Sequence, residues 1–502
     1  MADLTVFSII LIILACVFPF FALAASIIYL CYYGSPDDSK LAWFPKGIVV
    51  LAFALAILSV FLLPLDIANA RLGAGMTFGL GITWQVFYGV VCIFVILVIP
   101  FGIFYYEAED PDKEGLAGIF YQCRWATLWE VIVLVIAIVA IGVSYYFLGI
   151  AEVPYTNITN DSYTASLDSA VIQCANCITD KDQILEVFVS IVVYVIACTS
   201  MVGYLVFVIC GGWGLSALPV SCIKAFITKP KRVKGPEFAT AKEKYKNRIE
   251  QLIEIGQKLQ EAQDNGRVKP KDALLYNDFR DATYKIENDW KILHKSYFDL
   301  GGSVIFPFIQ LLLGIVFACL SLLWFVQIIC YMIVPPPPIS IGPLYGFLNI
   351  AFAEMDGWTN NFPVFGCIFY LIMTFYLLCC CLAGTTLFSQ VVPIVSVHPM
   401  KYKDTMMNSI LFNTGVFLLC SISVNQFAEQ AFAGYARTTA LDTLFNSAIR
   451  NLKGIKWYFF SIPYAYLFFA GIGLVMTFIC CRPRSEQEKN LDQVMARLKT
   501  ME

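Results

Sequence analysis

Two stretches of this 502-residue sequence set a proline and then a carboxylate behind an apolar run. They are LLPLDIANA (62–70), with Pro64 and Asp66, and VIPFGIFYYEAED (98–110), with Pro100, Tyr105, Tyr106 and Glu107. A carboxylate beside hydrocarbon can hold a cation, carry a proton or pair with a base. It is costly in lipid and therefore normally faces a bundle interior or a water-filled cavity. The other polar residues within or near apolar runs are Glu130, Glu186, Asn408, Asn413, Asn425, Gln426 and Glu429. Most fall near span ends, where headgroups would hydrate them; Asn413 alone is well inside. Asn413, Asn425, Gln426 and Glu429 are where the wall of a solute cavity would be sought. Carboxylates placed at the midplane, the mark of ion-coupled transport, are not evident, and neither is the two-halves symmetry of many secondary transporters. The two histidines, His294 and His398, lack partners at ligand spacing, so no metal or cofactor is expected. A Walker loop and a nucleophile elbow are also missing, and no catalytic cluster assembles, so the expectation is not an enzyme.

These residues are positioned by an apolar chain. Apolar residues make up 59% of it, charged residues only 14%, and the mean hydropathy is +0.71. A soluble domain carries about a quarter charged residues. Runs of roughly 20 apolar residues, enough to cross a bilayer as a helix, recur at about 6–32, 45–65, 84–106, 128–149, 186–210, 303–334, 364–388, 406–428 and 457–481. The fold class expected is all-α: a polytopic bundle of about nine membrane helices. The first run follows no basic segment and is too long for a cleaved leader, so it reads as a retained anchor.

Charge gives the orientation. With the N-terminus outside and the C-terminus in the cytosol, 28 of the 34 Lys and Arg residues lie on the cytosolic side. The loop after the fourth run carries two glycosylation sequons, at Asn157 and Asn160, and a Cys174–Cys177 pair suited to a disulfide in an oxidising compartment. All three fit an exterior loop. Most other cysteines lie inside apolar runs as small hydrophobes. Cys480 and Cys481, beside Arg482 at the inner edge, are either apolar filling or palmitoylation sites.

Four regions follow: an N-terminal membrane bundle (1–222), a cytosolic segment (223–302), a C-terminal membrane bundle (303–481) and a cytosolic tail (482–502). The segment opens with Lys229, Lys231, Arg232 and Lys234, a basic cluster that either marks the cytosolic side or attracts anionic lipid of that leaflet. Tyr245, Leu252 and Leu259 then repeat every seven residues, too briefly for a coiled coil. After the turn at Gly266 and Pro270, an amphipathic run carries Leu274, Leu275, Phe279, Ala282, Ile286, Trp290 and Leu293. Together they predict a helical hairpin whose apolar stripe packs internally or meets a protein partner. With a net charge of −3, nothing points to nucleic acid. Beyond the sixth run, four prolines (335–338) precede an apolar stretch too short to span, read as an exterior re-entrant or interfacial element with Trp358 at headgroup level. Its acids, Glu354 and Asp356, would face the bases Arg437, Arg450, Lys453 and Lys456 of the next exterior segment.

The two opening stretches, in this order and at this separation, resemble the LIMR or LMBR1-like family of multi-pass membrane proteins. Its first element is matched by Leu63, Pro64, Leu65, Asp66 and Ile67, and its second by Pro100, Phe101, Phe104, Tyr105, Tyr106 and Glu107. The resemblance implies a receptor-like or trafficking-associated protein that binds a soluble ligand or a partner protein. It transfers no functional residue beyond these markers. The alternative is a transporter, or a transport subunit, for a small organic solute or lipid. For the acids themselves two readings stand: hydrated residues that stop a span from sliding, or hinges paired with a base, Asp66 with Arg71 and Glu107 with Arg124 or the basic cytosolic loop.

Overall fold

The computed structural model describes residues 2–35, 43–72, 80–109, 115–159, 178–227, 233–264, 270–297, 305–334, 345–357, 365–391, 400, 403, 405–437 and 439–479. Among them, nine helical stretches are long and apolar enough to cross a membrane. They are α1 (Ala2–Tyr33), α2 with α3 (Trp43–Phe61, Leu63–Leu72), α4 with α5 (Leu80–Ile93, Ile99–Glu107), α6 (Leu116–Leu148), α7 (Ile191–Ile227), α10 (Ile305–Gln327), α12 (Phe365–Val391), α13 (Met407–Ala431) and α15 (Lys456–Ile479). Between them lie strands β1 (Ile150–Thr159) and β2 (Ile178–Phe188), and helices α8 (Gly235–Asp264), α9 (Pro270–Tyr297), α11 (Phe347–Gly357) and α14 (Ala440–Asp442).

The nine-helix expectation holds, with two local corrections. The segment expected as an exterior loop is an antiparallel hairpin, β1 on β2, with Ile150 opposite Phe188 and Val153 opposite Leu185. Its β-branched and aromatic residues favour the pleated backbone. The fifth span accordingly starts at Ile191 and not at 186. The fourth starts at Leu116, a dozen residues early, because its helix continues through a segment carrying Arg124 and Trp125.

The chain divides into two compact units: Met1–Ala217 with Leu320–Gly473, and Leu218–Cys319 with Leu474–Glu502. In the first, α13 lies at the centre, packed on α2, α5 and α12 and buried along most of its length. Helices α7 and α12 meet through a reciprocal small-residue contact. A Cβ on Gly214 would overlap the Cys380 carbonyl, and one on Gly384 the Cys210 carbonyl. Both pairs are Cys-x3-Gly, the spacing that puts small residues on one helix face and lets backbones touch.

Each marker proline begins a new helical segment. Pro64 lies in the first turn of α3, where a missing N–H leaves no bond unmade. Pro100 lies in the first turn of α5, directly after a π-helical turn, Phe94–Val98. The wider turn accommodates the ring, which would otherwise strike the carbonyl four residues back.

In the second unit, α8 and α9 pair antiparallel. Phe238 stacks on Tyr297 at 4.1 Å, and Tyr245 meets Trp290 edge-on. The core is Tyr245, Leu252, Ala282, Ile286 and Leu293. The apolar stripe therefore packs inside the hairpin, while Leu259, Leu274 and Leu275 carry side chains outside the described set.

Candidate functional site

Asp66 shows what the first marker does. It is 1% exposed, so it is not a hydrated boundary residue. Trp84 Nε1 donates to Oδ2 at 2.8 Å, the backbone N–H of Leu441 donates to the same oxygen at 2.9 Å, and that of Ala440 donates to Oδ1 at 3.1 Å. Pro64 starts α3 two residues earlier, which aims this carboxylate off the first turn of the short helix. The receiving backbone opens a helical segment, Ala440–Ile449, whose own N-cap is Thr439. Asp66 thus caps, from 374 residues away, the end of a helix whose exposed N–H groups and dipole favour an anion. Hydrogen bonds to a charged acceptor contribute about 1.5–3 kcal/mol each. The Arg71 side chain, proposed as its partner, lies outside the described set.

Beneath this cap the last turns of α13 gather Asn425, Gln426 and Glu429, while Asn413 lies near the other end of the helix. Asn413, Asn425, Gln426 and Glu429 are all buried, and so is Gln430. Asn425 donates to Tyr88 Oη at 2.9 Å, and Tyr88 stacks on Trp84. Gln426 accepts from Ser200, and Glu429 Oε1 accepts from Tyr370 Oη at 3.2 Å. Gln327 donates to the Ala431 carbonyl at 2.6 Å. Asn425 Oδ1, Gln426 Nε2, Glu429 Oε2 and Gln327 Oε1 have no hydrogen-bond partner among the described residues. Each such buried group costs about 1–3 kcal/mol unless water or a ligand satisfies it. Three of these four atoms are acceptors, so the set suits a small polar or cationic solute. Glu130, on α6, is a further buried carboxyl whose oxygens lack partners among the described residues.

Between the 335–363 and 430–456 segments, the described contacts to Asn349 and Asp356 come from neutral donors on Tyr435. On α11, Asp356 is 1% exposed and accepts from Gly366 N at 2.8 Å and from Tyr435 Oη at 2.9 Å. Asn349 Oδ1 accepts from Tyr435 N. Burial, together with Cys367 and Asp356, pushes the Tyr435 phenol above its ordinary pKa, so it stays a donor. Lys453 turns instead to Glu152 on β1, at 3.6 Å. Two backbone bonds, Glu152 N to Asn451 O and Lys453 N to Ile150 O, join the hairpin to the segment after Ile449. Sequence reasoning placed Asp66 at a span boundary and Asp356 on an exterior element because it cannot see the distant donors that meet them. The hairpin was legible in the β-branched run VPYTNIT but was passed over.

Glu107, the second marker acid, is exposed and accepts from Asn408 Nδ2 at 2.7 Å, in place of the Arg124 pairing. Tyr105 packs edge-on against Phe44 and Tyr106 is half-buried. Asn157 lies on β1 opposite Asp180. Lys234 precedes α8. Asn160, Cys174, Cys177, Lys229, Lys231, Arg232, Cys480, Cys481, Trp358 and prolines 335–338 lie outside the described residues.

The profile of the family described as LMBR1-like membrane protein matches residues 6–290. A LIMR family protein of Dictyostelium discoideum is 32% identical, covering 95% of this chain and 98% of the relative. Another from Oryza sativa subsp. japonica is 29% identical over 92% of this chain and 94% of its own length. A more distant match, a probable lysosomal cobalamin transporter of Dictyostelium discoideum, is 22% identical over 35% of this chain and 34% of its own length. No solved structure matches. With the family profile covering more than half of the sequence and a relative 32% identical over 95% of it, this multi-pass membrane chain belongs to the LMBR1-like, or LIMR, family.

Proposed function

We propose that the protein is a membrane receptor or trafficking adaptor, N-terminus outside, that meets a soluble ligand protein on a folded exterior platform. The observation carrying this reading is the β1–β2 hairpin, tied through backbone bonds to the segment that Asp66 caps. Its second strand exposes Ile184, Leu185, Val187 and Phe188, the last by 82%. Apolar side chains at this density on a rigid support suit protein recognition. Asp66, met by three protein N–H donors, holds the capped segment without requiring a solute.

A photoreactive residue placed at Leu185 in the native membrane tests the reading. A crosslinked soluble protein, lost in an Ile184→Asp/Val187→Asp variant that still reaches its membrane, supports it. Crosslinks to lipid alone would overturn it.

Transport of a small solute is the second reading, favoured by the unpartnered oxygen of Glu429 among Asn425, Gln426 and Gln327. The distant relative named as a probable cobalamin transporter makes labelled cobalamin a first probe. Uptake into proteoliposomes that Glu429→Gln abolishes would favour this reading over the receptor.

A further inference from the structure

The second marker leads to a different place. Glu107 stands at the rim of a cavity of about 620 Å³ between α5 and α6. Its walls include Phe104, Glu107, Glu109, Tyr121, Trp125 and Trp129. Helix α6 supplies Tyr121, Trp125 and Trp129 at i, i+4 and i+8, one stripe of its surface. The neighbouring stripe, Ala126 and Glu130, is buried. Tyr121 and Trp125 meet edge-on at 6.2 Å, leaving Trp125 and Trp129 exposed by 41% and 49%.

Tryptophans gather at membrane boundaries without forming any pocket. Here two carboxylates share the cavity with them. Carboxylates select a cation, and aromatic faces favour one that is weakly hydrated and dressed in methyl groups, which is how quaternary ammonium ions are recognised. The adjoining stripe of α6 lines a second cavity of about 650 Å³ with Arg124, Leu128, Val131 and Ile132. Arg124 offers a planar fork for phosphate oxygens. Leu128, Val131 and Ile132 are 50%, 51% and 44% exposed and continue toward the apolar part of the helix. Ammonium box, guanidinium and apolar strip thus occur side by side. The apolar span of α4 and α5 ends at Glu107, so the arrangement lies at the hydrocarbon boundary.

We propose that this is a binding site for a phospholipid with a quaternary ammonium headgroup. The ammonium enters the box of Trp125, Trp129, Glu107 and Glu109, the phosphate meets Arg124, and an acyl chain follows Leu128, Val131 and Ile132. The Phe104–Glu107 end of the second family marker then serves as one wall of a lipid site.

The test uses the full-length protein in nanodiscs with photoreactive phosphatidylcholine, followed by peptide mapping. Labelling should map to residues 115–132, and excess phosphatidylcholine should compete while phosphatidylglycerol should not. Trp125→Ala/Trp129→Ala, which removes two cation contacts, should lower labelling roughly thirtyfold, and Glu109→Gln roughly fivefold. Trp125→Phe/Trp129→Phe should stay within about twofold of the parent, because phenyl faces still attract cations. Unchanged melting of the variants separates lost binding from lost fold. Equal labelling by the glycerol lipid, or full labelling in both the Ala and Gln variants, would overturn the proposal. Competition by free choline at concentrations where the lipid does not compete would overturn the lipid assignment.

Discussion

Asp66 and Glu107 look alike in sequence: each follows a proline at the end of an apolar run. In the structure they differ in almost every respect. Asp66 is buried and takes three N–H donors, two of them from backbone more than 370 residues away. Glu107 is exposed and accepts from the Asn408 amide at 2.7 Å, beside an open cavity. The difference comes from what surrounds each helix end. Where α3 begins, the chain returns in the segment that carries Phe432, Leu441, Phe445 and Leu452, all fully buried, and excludes water. Where α5 ends, the cavity between α5 and α6 stays open. One acid is a structural cap and the other is free to meet a ligand.

Removing the cap should have the largest effect. Asp66→Leu leaves the indole N–H and the amides of Ala440 and Leu441 without an acceptor in a closed site. The expected loss is about 3 kcal/mol or more, at about 1–3 kcal/mol for each stranded donor. Thermal unfolding in detergent and the fraction reaching the mature membrane would check it. A variant as stable as the parent would erase the contrast between the two acids. Trp84→Phe comes next: it removes one donor and part of a fully buried ring that stacks on Tyr88 at 5.4 Å. About 2 kcal/mol is expected from the hydrogen bond and the space left behind. Tyr435→Phe should cost about 1–2 kcal/mol, since Asp356 keeps the Gly366 N–H but loses the phenol. This variant also carries a pH signature. Because the folded phenol titrates above its ordinary value of 10, its contribution is full below that pH and is lost as pH rises past it. The parent should therefore lose stability in alkali faster than Tyr435→Phe, which a melting series from pH 8 to 11 would read.

The bundle was legible because apolar length alone dictates it: any helix of some 20 such residues has few other places to go. The hairpin α8–α9 was legible for a similar reason, since Tyr245, Leu252, Ile286 and Leu293 recur at helical spacing. What stayed hidden depends on contacts distant in sequence. Nothing near Asp66 announces Leu441, and the Cys-x3-Gly pairs at Cys210 and Cys380 identify one another only once α7 and α12 cross. Asn425, Gln426 and Glu429 were noticed as polar residues but placed at a hydrated edge. The segment after Ala431 turns back over them, which is why they are buried.

Glu107 should respond least, and its response separates a structural from a ligand-meeting acid. Glu107→Gln keeps the shape and the acceptor oxygen for Asn408, in a place that water reaches. A single exposed polar contact contributes little, so the melting temperature should shift by less than the equivalent of about 0.5 kcal/mol. If the side chain serves the aromatic box, the same substitution must weaken phosphatidylcholine labelling while leaving the fold intact. A loss of stability comparable to that of Asp66→Leu would instead make Glu107 a second cap, and the two family markers would then share one structural purpose at opposite ends of the bundle.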